Sequence, residues 1–479
     1  MHTQTPADTI VNMIRAINEA EEAKAKKAAE TGRLTARARL KSLFDEGSFT
    51  EIGAFFKKSG SPESESDTVI CAYGALDGRL IYAFSQEYTE SKAGFGETQA
   101  VKIAKLYELA TKNGAPIVAF LDSAGANISE NISVISSYGK IIKCANEASG
   151  MIPQIAVVTG ICGGAAAIYA SACDFIVAEK NNSSIYLSAP SIVRASDSKA
   201  GAGFSKASDC CARGICAAVG DGEADTIAKV KRLLSFIPSN CEDGNIQFPV
   251  NDDPNRPTLC FNGEYSASSV ITGLADEDSI FELYVGYAAE LKCGFAVMGG
   301  IVCGFIASDG GKLTASAMKK AAGFVCFCDM FGISLLTLVD SDGFDATEEA
   351  SDDLAGAASD LFSAYAISEC PKVTVYFGKA YGSVSAVLGG KETGTDLAFA
   401  LPFAEISVLA PETATALMWN DKLRGEKDPI AGRAALVEKW RSDMASPIAA
   451  AQCGMIDDVI MPDELRARLI AAFDTLSSR

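Results

Sequence analysis

Short apolar runs alternate along the chain with longer stretches that mix apolar and polar residues. The runs 155–158 and 335–339 carry no charge, and each has the length of a strand buried on both faces. The longer stretches 98–113 and 316–331 are predicted to be helices, and a pair of strands is predicted before each of them. Strands that alternate with helices in this order predict an α/β architecture.

Residues 151–173 carry no charged side chain and are long enough to be compared with a membrane-spanning helix. Pro153 and the glycines within 160–164 interrupt the segment, and such residues are typical of turns. We therefore predict a buried strand at 155–158, followed by a glycine turn and a closely packed helix.

The chain also repeats itself at one fixed separation. A separation of 218 positions pairs Asp122 with Asp340, Gly160 with Gly378 and Lys102 with Lys320. A repeat of this length indicates tandem domains related by internal duplication, rather than a solenoid. Turn and linker residues cluster at 238–257. We predict an N-terminal domain at 1–245 and a C-terminal domain at 246–479.

Composition narrows the classes of function. A net charge of −19 disfavours nucleic acid as a partner, although residues 1–41 hold eight basic against five acidic side chains. His2 is the only histidine, which excludes Ser-His-Asp and Cys-His catalysis and histidine-based metal sites. The 15 cysteines include no CxxC pair, so no metal site is expected. No secretory signal is recognised, and we expect reduced thiols in a cytoplasm.

A buried strand that ends in glycines and leads into a helix leaves backbone N–H groups at the helix start without partners. Two such groups directed at one point form an oxyanion hole. The candidates are Gly164 with Ala165 in the first half, and Ser383 with Val384 in the second. Close helix–strand packing is the simpler explanation of a single turn, but the occurrence of the turn in both halves favours a catalytic role. No GxxxxGK[ST] phosphate-binding motif occurs.

Several motifs together resemble the biotin-dependent carboxyltransferase family, which includes propionyl-CoA carboxylase beta chains and the alpha chains of methylmalonyl-CoA and glutaconyl-CoA decarboxylases. Examples are Leu-Thr-Ala-Arg-Ala-Arg-Leu at 34–40 and Asp-Ser-Ala-Gly-Ala at 122–126. Further motifs lie at 45–49, 96–97, 112–116, 234–240, 319–325, 327–331, 379–382 and 457–460.

The resemblance implies two tandem crotonase-like domains and a homo-trimer or hexamer, with the active site between the first domain of one subunit and the second domain of another. The first turn would hold the thioester oxygen of a short-chain acyl-CoA of the propionyl or methylmalonyl class. The second would hold the ureido oxygen of biotin, which a separate biotin carboxyl carrier protein presents and which this chain does not bind covalently. Biotin carboxylase or membrane decarboxylase subunits would be further partners. The substrate-binding residues implied are Arg37, Ala124, Gly125, Ala126, Gly343, Phe344, Gly382 and Ala386.

The chain departs from the family pattern at both turns. Ala124 and Asn127 replace a glycine and an arginine near the first turn, while Ser383 and Val384 add bulk at the second. Gly323 and Cys326 stand where relatives commonly carry arginines that contact CoA. These differences predict an intact first turn and an altered second turn.

The segment 317–319 is similar to the Ala-Met-Lys motif around a biotinylated lysine. Lys319, however, is predicted at the start of a helix rather than at a hairpin tip, so we do not expect it to carry biotin.

Two other functions stay open. A crotonase-type hydratase or isomerase needs a carboxylate over the thioester, for which Glu130 is a candidate, although a surface glutamate also explains that residue. A non-catalytic subunit that retains the fold would account for the substitutions at the two turns.

Overall fold

The computed structural model describes residues 6–56, 68–88, 94–123, 125–197, 203, 205–250, 252–257, 265–345, 347–423 and 428–477. The chain divides into a first unit, Met1–Ser235, and a second unit, Phe236–Arg479. The boundary predicted at 245 stays a prediction. Within the described ranges, no helix combines the length and the apolar character that a membrane span requires.

A mostly parallel sheet forms the centre of the first unit. Its strands are β1 (Thr50–Ile52), β2 (Val69–Leu76), β3 (Arg79–Gln86), β4 (Ile117–Ser123), β5 (Gln154–Gly163), β6 (Phe175–Glu179), β7 (Ser184–Tyr186) and β8 (Ala218–Gly220). They run in the order β1-β2-β3-β4-β5-β6-β8, and β7 pairs with the end of β5. The β1–β2 and β2–β3 pairs are antiparallel, and the others are parallel.

Helices cover this sheet and bury it. They are α1 (Pro6–Ala29), α2 (Ala36–Leu43), α3 (Glu97–Asn113), α4 (Ile132–Ala148), α5 (Ala165–Ser171), α6 (Pro190–Ser196), α7 (Ala207–Ala212) and α8 (Glu223–Ser235). A short 3-10 helix, Ile128–Glu130, precedes α4. Every residue of β4 is buried, which explains its continuous apolar sequence. One apolar core joins α3, α4 and α5 to β4 and β5.

The second unit repeats this plan. Its strands are β9 (Phe281–Leu283), β10 (Leu291–Met298), β11 (Ile301–Ser308), β12 (Lys312–Leu313), β13 (Ser334–Ser341), β14 (Gly343–Phe344), β15 (Lys372–Tyr381), β16 (Leu397–Ala400), β17 (Glu405–Ser407) and β18 (Asp458–Val459). The sheet order is β18-β16-β15-β13-β11-β10-β9, β17 pairs with the end of β15, and β12 and β14 form a separate pair. The β9–β10 and β10–β11 pairs are antiparallel, and the others are parallel.

The helices of the second unit are α9 (Ala267–Leu274), α10 (Ala315–Met330), α11 (Glu348–Ile367), α12 (Val384–Val387), α13 (Pro411–Met418), α14 (Pro429–Met444), α15 (Pro447–Gln452) and α16 (Leu465–Ser477). Short 3-10 helices lie at Lys391–Thr393, Asn420–Leu423 and Pro462–Glu464. Lys319 lies within α10 and its ammonium pairs with Asp353, so the predicted helical setting of this lysine is confirmed.

The repeat found in the sequence is a repeat of structure, and the predicted α/β fold with duplicated domains is confirmed. The first residues of β5 and β15, Gln154 and Lys372, are 218 positions apart. The buried strand and following helix predicted within 151–173 are β5 and α5. Because β4 and β5 are adjacent and parallel, the segments that follow them lie at one edge of the sheet, where ligands bind in open α/β sheets.

Candidate active site

The first turn follows β5 and is built on a left-handed glycine. Gly164 has φ +62° and ψ −130°, a region that side chains disfavour. Its N–H donates to the carbonyl of Tyr186 at 2.9 Å, and its carbonyl accepts the N–H of Ala167 at 3.0 Å. The N–H groups of Ala165 and Ala166 have no acceptor among the described residues. Gly164 therefore drops out of the predicted donor pair, because its N–H is already used within the sheet, and Ala165 remains a candidate donor.

The loop after β4 approaches this turn from the neighbouring strand. Ser123 and Cys162 are register partners in the β4–β5 pair. Gly125 follows with φ +116°, and its N–H donates to the hydroxyl of Ser123 at 3.2 Å. Phe95 pairs with Ala126 in an isolated parallel bridge. Gly125 and Ala126 thus lie at the same sheet edge as Ala165, whereas Ala124 falls outside the described residues.

The bonds of this bridge fix the direction of the Ala126 backbone. Phe95 donates its N–H to the carbonyl of Gly125 at 2.9 Å and accepts the N–H of Asn127 at 2.8 Å. Ala126, between these two partners, has an N–H without an acceptor in the described part of the chain. It is a further candidate donor toward the sheet edge.

The second turn has the same backbone arrangement. Gly382 has φ +71°, and its N–H donates to the carbonyl of Ser407 at 2.9 Å. The N–H groups of Ser383 and Val384 have no acceptor in the described ranges. Ala386 lies in α12, two residues after Val384. The Val384 side chain is fully buried, so its bulk points into the protein, while Ser383 is exposed. Of the two substitutions at the second turn, only Ser383 therefore adds side-chain bulk at the protein surface.

The loop after β13 matches the loop after β4. Gly343 has φ +117° and donates its N–H to the Ser341 hydroxyl at 3.3 Å, as Gly125 does to Ser123. Phe344 pairs with Leu313 in the β12–β14 ladder. Since Ser341 and Ala380 are register partners, Gly343 and Phe344 lie at the same sheet edge as the second turn.

A cavity of about 570 Å³ lies at the carboxyl edge of the first unit's sheet, within the size range of ligand pockets. Its lining includes Asp122 at the end of β4, Tyr88 just after β3, and the basic residues Lys27 and Arg33. The Arg33 guanidinium lies 5.0 Å from the centre of the Tyr88 ring and 3.2 Å from the Asp122 carboxylate. Arg33 keeps 18% of its side chain exposed, so it can face an anionic ligand.

Buried charges fix the floor of this cavity. Arg39 is 1% exposed, bonds both oxygens of Glu223 at 2.8 Å and lies 3.1 Å from Asp122. Burial alone would lower the pKa of Arg39, but the hydrogen bonds and charge of Glu223 raise it overall. Asp122 also accepts the N–H of Ile161 at 3.3 Å. Asp122 therefore anchors structure at the sheet edge through its contacts with Arg33, Arg39 and Ile161.

Arg37, which the resemblance implies to be a substrate-binding residue, pairs with carboxylates of its own chain. It is 7% exposed, and it bonds Glu51 through two nitrogens at 2.9 and 3.0 Å and Glu21 at 3.1 Å. Two carboxylates neutralise its guanidinium, and it joins α1 and α2 to β1. Three nitrogens of its guanidinium are thus used within the protein, and the substrate-binding role implied for Arg37 stays a prediction.

Glu130 has a structural partner as well. Its carboxylate accepts the N–H of Glu97 at 2.8 Å and the Asn127 amide at 3.2 Å. It thus satisfies a donor at the start of α3, which Gly96 leaves without a side-chain cap. A carboxylate used in this way is a poor candidate for the base of a hydratase.

Sequence reasoning missed Arg33 and Tyr186. Tyr186 supplies the carbonyl that holds the first turn, and Ser407, 221 positions later, does the same in the second. Ala189-Pro190 and Ala410-Pro411 are separated by the same 221 positions, so this repeat could have identified Tyr186 and Ser407. The described residues contain no group of histidine, cysteine and carboxylate side chains placed to hold a metal ion.

Comparison with known proteins matches both units. A family model described as carboxyl transferase domain covers residues 27–479. The chain is 34% identical over 480 residues to methylmalonyl-CoA decarboxylase subunit alpha of Propionigenium modestum, covering 94% of this chain and 91% of the relative. It is 32% identical over 482 residues to the propionyl-CoA carboxylase beta chain of Cereibacter sphaeroides, with coverage of 94% and 91%.

A solved structure agrees with these relatives. Transcarboxylase 12S, described as a hexamer assembly with methylmalonyl-coenzyme A and methylmalonic acid bound, superposes with a TM-score of 0.93 at 30% identity and covers 100% of this chain and 96% of that one. Since the family model and the relatives extend over nearly the whole sequence, this chain belongs to the carboxyl transferase family.

Proposed function

We propose that this chain moves a carboxyl group between carboxybiotin on a separate carrier protein and the α-carbon of a short-chain acyl-CoA of the propionyl or methylmalonyl class. The duplicated turn carries the proposal. In each unit a left-handed glycine gives its N–H to a neighbouring strand, and the amides that follow have no acceptor within the described residues. Such amides are suited to oxygens that gain negative charge during a reaction.

The first unit is assigned to the acyl-CoA. Loss of a carboxyl group from the α-carbon of a thioester leaves charge on the thioester oxygen. Ala165 from the first turn and Ala126 from the loop after β4 would donate to that oxygen, and one such donor contributes roughly 3 kcal/mol to a transition state. Arg33 and Lys27 of the adjacent cavity, rather than Arg37, would meet the phosphates of CoA.

The second unit is assigned to biotin. The donor set fits a ureido oxygen, because the amides of Ser383 and Val384 are neutral donors that can satisfy a carbonyl-type acceptor. Gly382 sets the turn, and Gly343, Phe344 and Ala386 border it. When biotin is bound, its ureido nitrogen supplies the atom that accepts or gives the carboxyl group. The residues of this chain hold the ureido oxygen and stabilise charge on it.

The bonds balance without a titrating side chain. In decarboxylation, the bond from the α-carbon to the carboxyl group breaks and its electron pair moves toward the thioester oxygen. Biotin, when bound, would take up the carboxyl carbon at its ureido nitrogen and would supply the proton for the α-carbon. The chain contributes preorganised N–H donors, which need no change of protonation. This accounts for catalysis in a chain whose only histidine is His2.

The test is decarboxylation of methylmalonyl-CoA and malonyl-CoA by the purified chain in the presence of free biotin. We expect biotin-dependent formation of propionyl-CoA and acetyl-CoA. Thioester binding without turnover of either substrate would favour the non-catalytic subunit. Biotin-independent hydration of crotonyl-CoA would favour the hydratase.

We further propose a homo-trimeric or hexameric assembly that works with a biotin carboxyl carrier protein. A biotin carboxylase would be the second partner of a carboxylase, and membrane subunits those of a decarboxylase. The thiols of the described cysteines are free, which is consistent with our proposal of a cytoplasmic location. The reaction direction would follow from which partner copurifies with the chain.

A further inference from the structure

Tyr138 carries a buried hydroxyl that has no hydrogen-bond partner among the described residues. The side chain lies on α4 and is 6% exposed. Its ring stacks on Phe95, with centroids 4.0 Å apart and an interplanar angle of 24°. A buried donor without a partner costs about 1–3 kcal/mol, and a bound ligand that accepts the hydrogen bond would offset this cost.

Tyr138 is placed beside the loop that follows β4. Phe95, on which it stacks, bonds through its backbone to Gly125 and Asn127 on either side of Ala126. The helix that carries Tyr138 packs against α5, which begins at Ala165. Tyr138 therefore lies on the helix that follows the loop containing Ala126 and packs against α5. These are the two segments proposed to hold the thioester.

The interior around this hydroxyl is apolar. Tyr138 belongs to the same core cluster as Val134, Cys162 and Ala166. Burial first, and the nearby Cys162 thiol second, raise the pKa of Tyr138 above its ordinary range. The hydroxyl therefore keeps its proton under physiological conditions and acts as a donor.

The second unit lacks this hydroxyl. The buried positions of α4 and α11 match at a separation of 220, as Ile141 and Leu361 show, and this places Ala358 at the position of Tyr138. The tyrosine is specific to the unit that we assign to the acyl-CoA.

We propose that the Tyr138 hydroxyl closes the acyl end of the first-unit site and donates a hydrogen bond to the carboxylate of a bound malonyl-type thioester. This inference rests on the proposed function. The thioester oxygen has two lone pairs, and the amides of Ala126 and Ala165 already provide two donors for them. The remaining acceptor on such a substrate is its carboxylate, and a hydrogen bond to a charged acceptor in apolar surroundings is strong.

The experiment compares calorimetric binding of methylmalonyl-CoA and propionyl-CoA by the wild-type chain and by Tyr138→Phe, without biotin. We expect the Kd for methylmalonyl-CoA to rise by roughly tenfold or more, with little change for propionyl-CoA, which lacks the carboxylate. The variant should melt no lower than the wild type, because it loses no hydrogen bond within the described protein.

Tyr107→Phe is the matched control. The Tyr107 hydroxyl is also buried but bonds Gln154 at 2.9 Å and Tyr169 at 2.7 Å, so its loss should lower stability without separating the two ligands. An equal effect of Tyr138→Phe on both thioesters, or no effect on either, would overturn the assignment while leaving the proposed function standing. Failure of the wild type to bind either thioester would overturn both.

Discussion

Gly163 and Tyr186 lie opposite each other in the β5–β7 pair, and a Cβ added at Gly163 would lie 2.5 Å from Cε2 of the Tyr186 ring. The second unit reverses this arrangement: Tyr381 and Ser407 are the register partners in the β15–β17 pair. The Tyr381 hydroxyl donates to Glu405 at 2.5 Å, and Glu405 in turn pairs with Arg441. The two turns share one backbone arrangement, but the tyrosine ring stands on β7 in the first unit and on β15 in the second. The surface offered to a ligand therefore has a different shape at each turn.

The first prediction concerns the space at Gly163. Gly163→Ala should push the Tyr186 ring aside and disturb the carbonyl that holds Gly164. We expect a loss of about 1–3 kcal/mol in the free energy of unfolding. We also expect a loss of roughly tenfold to a hundredfold in biotin-dependent decarboxylation, because small displacements at a reacting centre are costly. Urea denaturation and the decarboxylation assay provide the two measurements.

Gly139→Ala is the control for this variant. A Cβ at Gly139 meets nothing within 4 Å, and the residue lies within α4. Alanine there should leave stability unchanged or raise it by about 0.4–1 kcal/mol. If the clash with Tyr186 is the cause, Tyr186→Ala added to Gly163→Ala should recover part of the lost stability, and additive losses would contradict this account.

The second prediction separates the two turns. Gly164→Ala and Gly382→Ala each force a side chain into the left-handed region, at a cost of about 1–3 kcal/mol. The first variant should weaken methylmalonyl-CoA binding. The second should leave that binding intact and slow transfer to free biotin. Calorimetry with the thioester and turnover at varied biotin concentration distinguish these outcomes, and equal effects of both variants on thioester binding would contradict the assignment of ligands to units.

The third prediction tests the buried charges beneath the cavity. Arg39→Met leaves Asp122 and Glu223 buried without their shared partner, and we expect a loss of about 3–5 kcal/mol in the free energy of unfolding. Lys105→Met is the control, because the Lys105–Glu108 pair is exposed and screened by solvent, so its loss should change stability little. Urea denaturation measures both variants, and similar small losses would show that Asp122 does not depend on Arg39.

The sequence predicted the elements well where one local signal determines them. Charge-free runs identify β5 and β13 because both faces of these strands are buried. The fixed separation of 218 identifies the duplicated plan because each half keeps the length between its buried strands. Glycine at 164 and 382 marks the turns because only this residue adopts their backbone without strain.

The details of the site depend on partners that are distant in sequence, and these could not be predicted. No local pattern shows that the Gly164 N–H faces the carbonyl of Tyr186. The sequence does not show that Glu21 and Glu51 reach Arg37 through folding. It shows the bulk of Val384 at the second turn, but not that this side chain is directed inward. In both cases the missing information is direction, which a residue type alone does not specify.

The last prediction concerns Asp174, just before β6. Burial raises its pKa from an ordinary value of 3.8 to about 7, although the carboxylate accepts the N–H of Gln154 at 2.7 Å. Between these two values the folded state holds a proton that the unfolded state has released. The free energy of unfolding should therefore fall as the pH rises from about 4 to about 7, by at most about 4 kcal/mol, and then level off.

Asp174→Asn keeps an acceptor for the Gln154 N–H but cannot ionise, so it should remove this part of the fall, as measured by urea denaturation from pH 4 to pH 8. Asp225→Asn is the control of opposite sign. Its hydrogen bond from Lys229 lowers the pKa of Asp225, so the wild-type residue stabilises the fold above its ordinary pKa and loses that contribution as the pH falls. A wild-type curve that runs parallel to that of Asp174→Asn over the whole range would show that Asp174 is already ionised in the folded state.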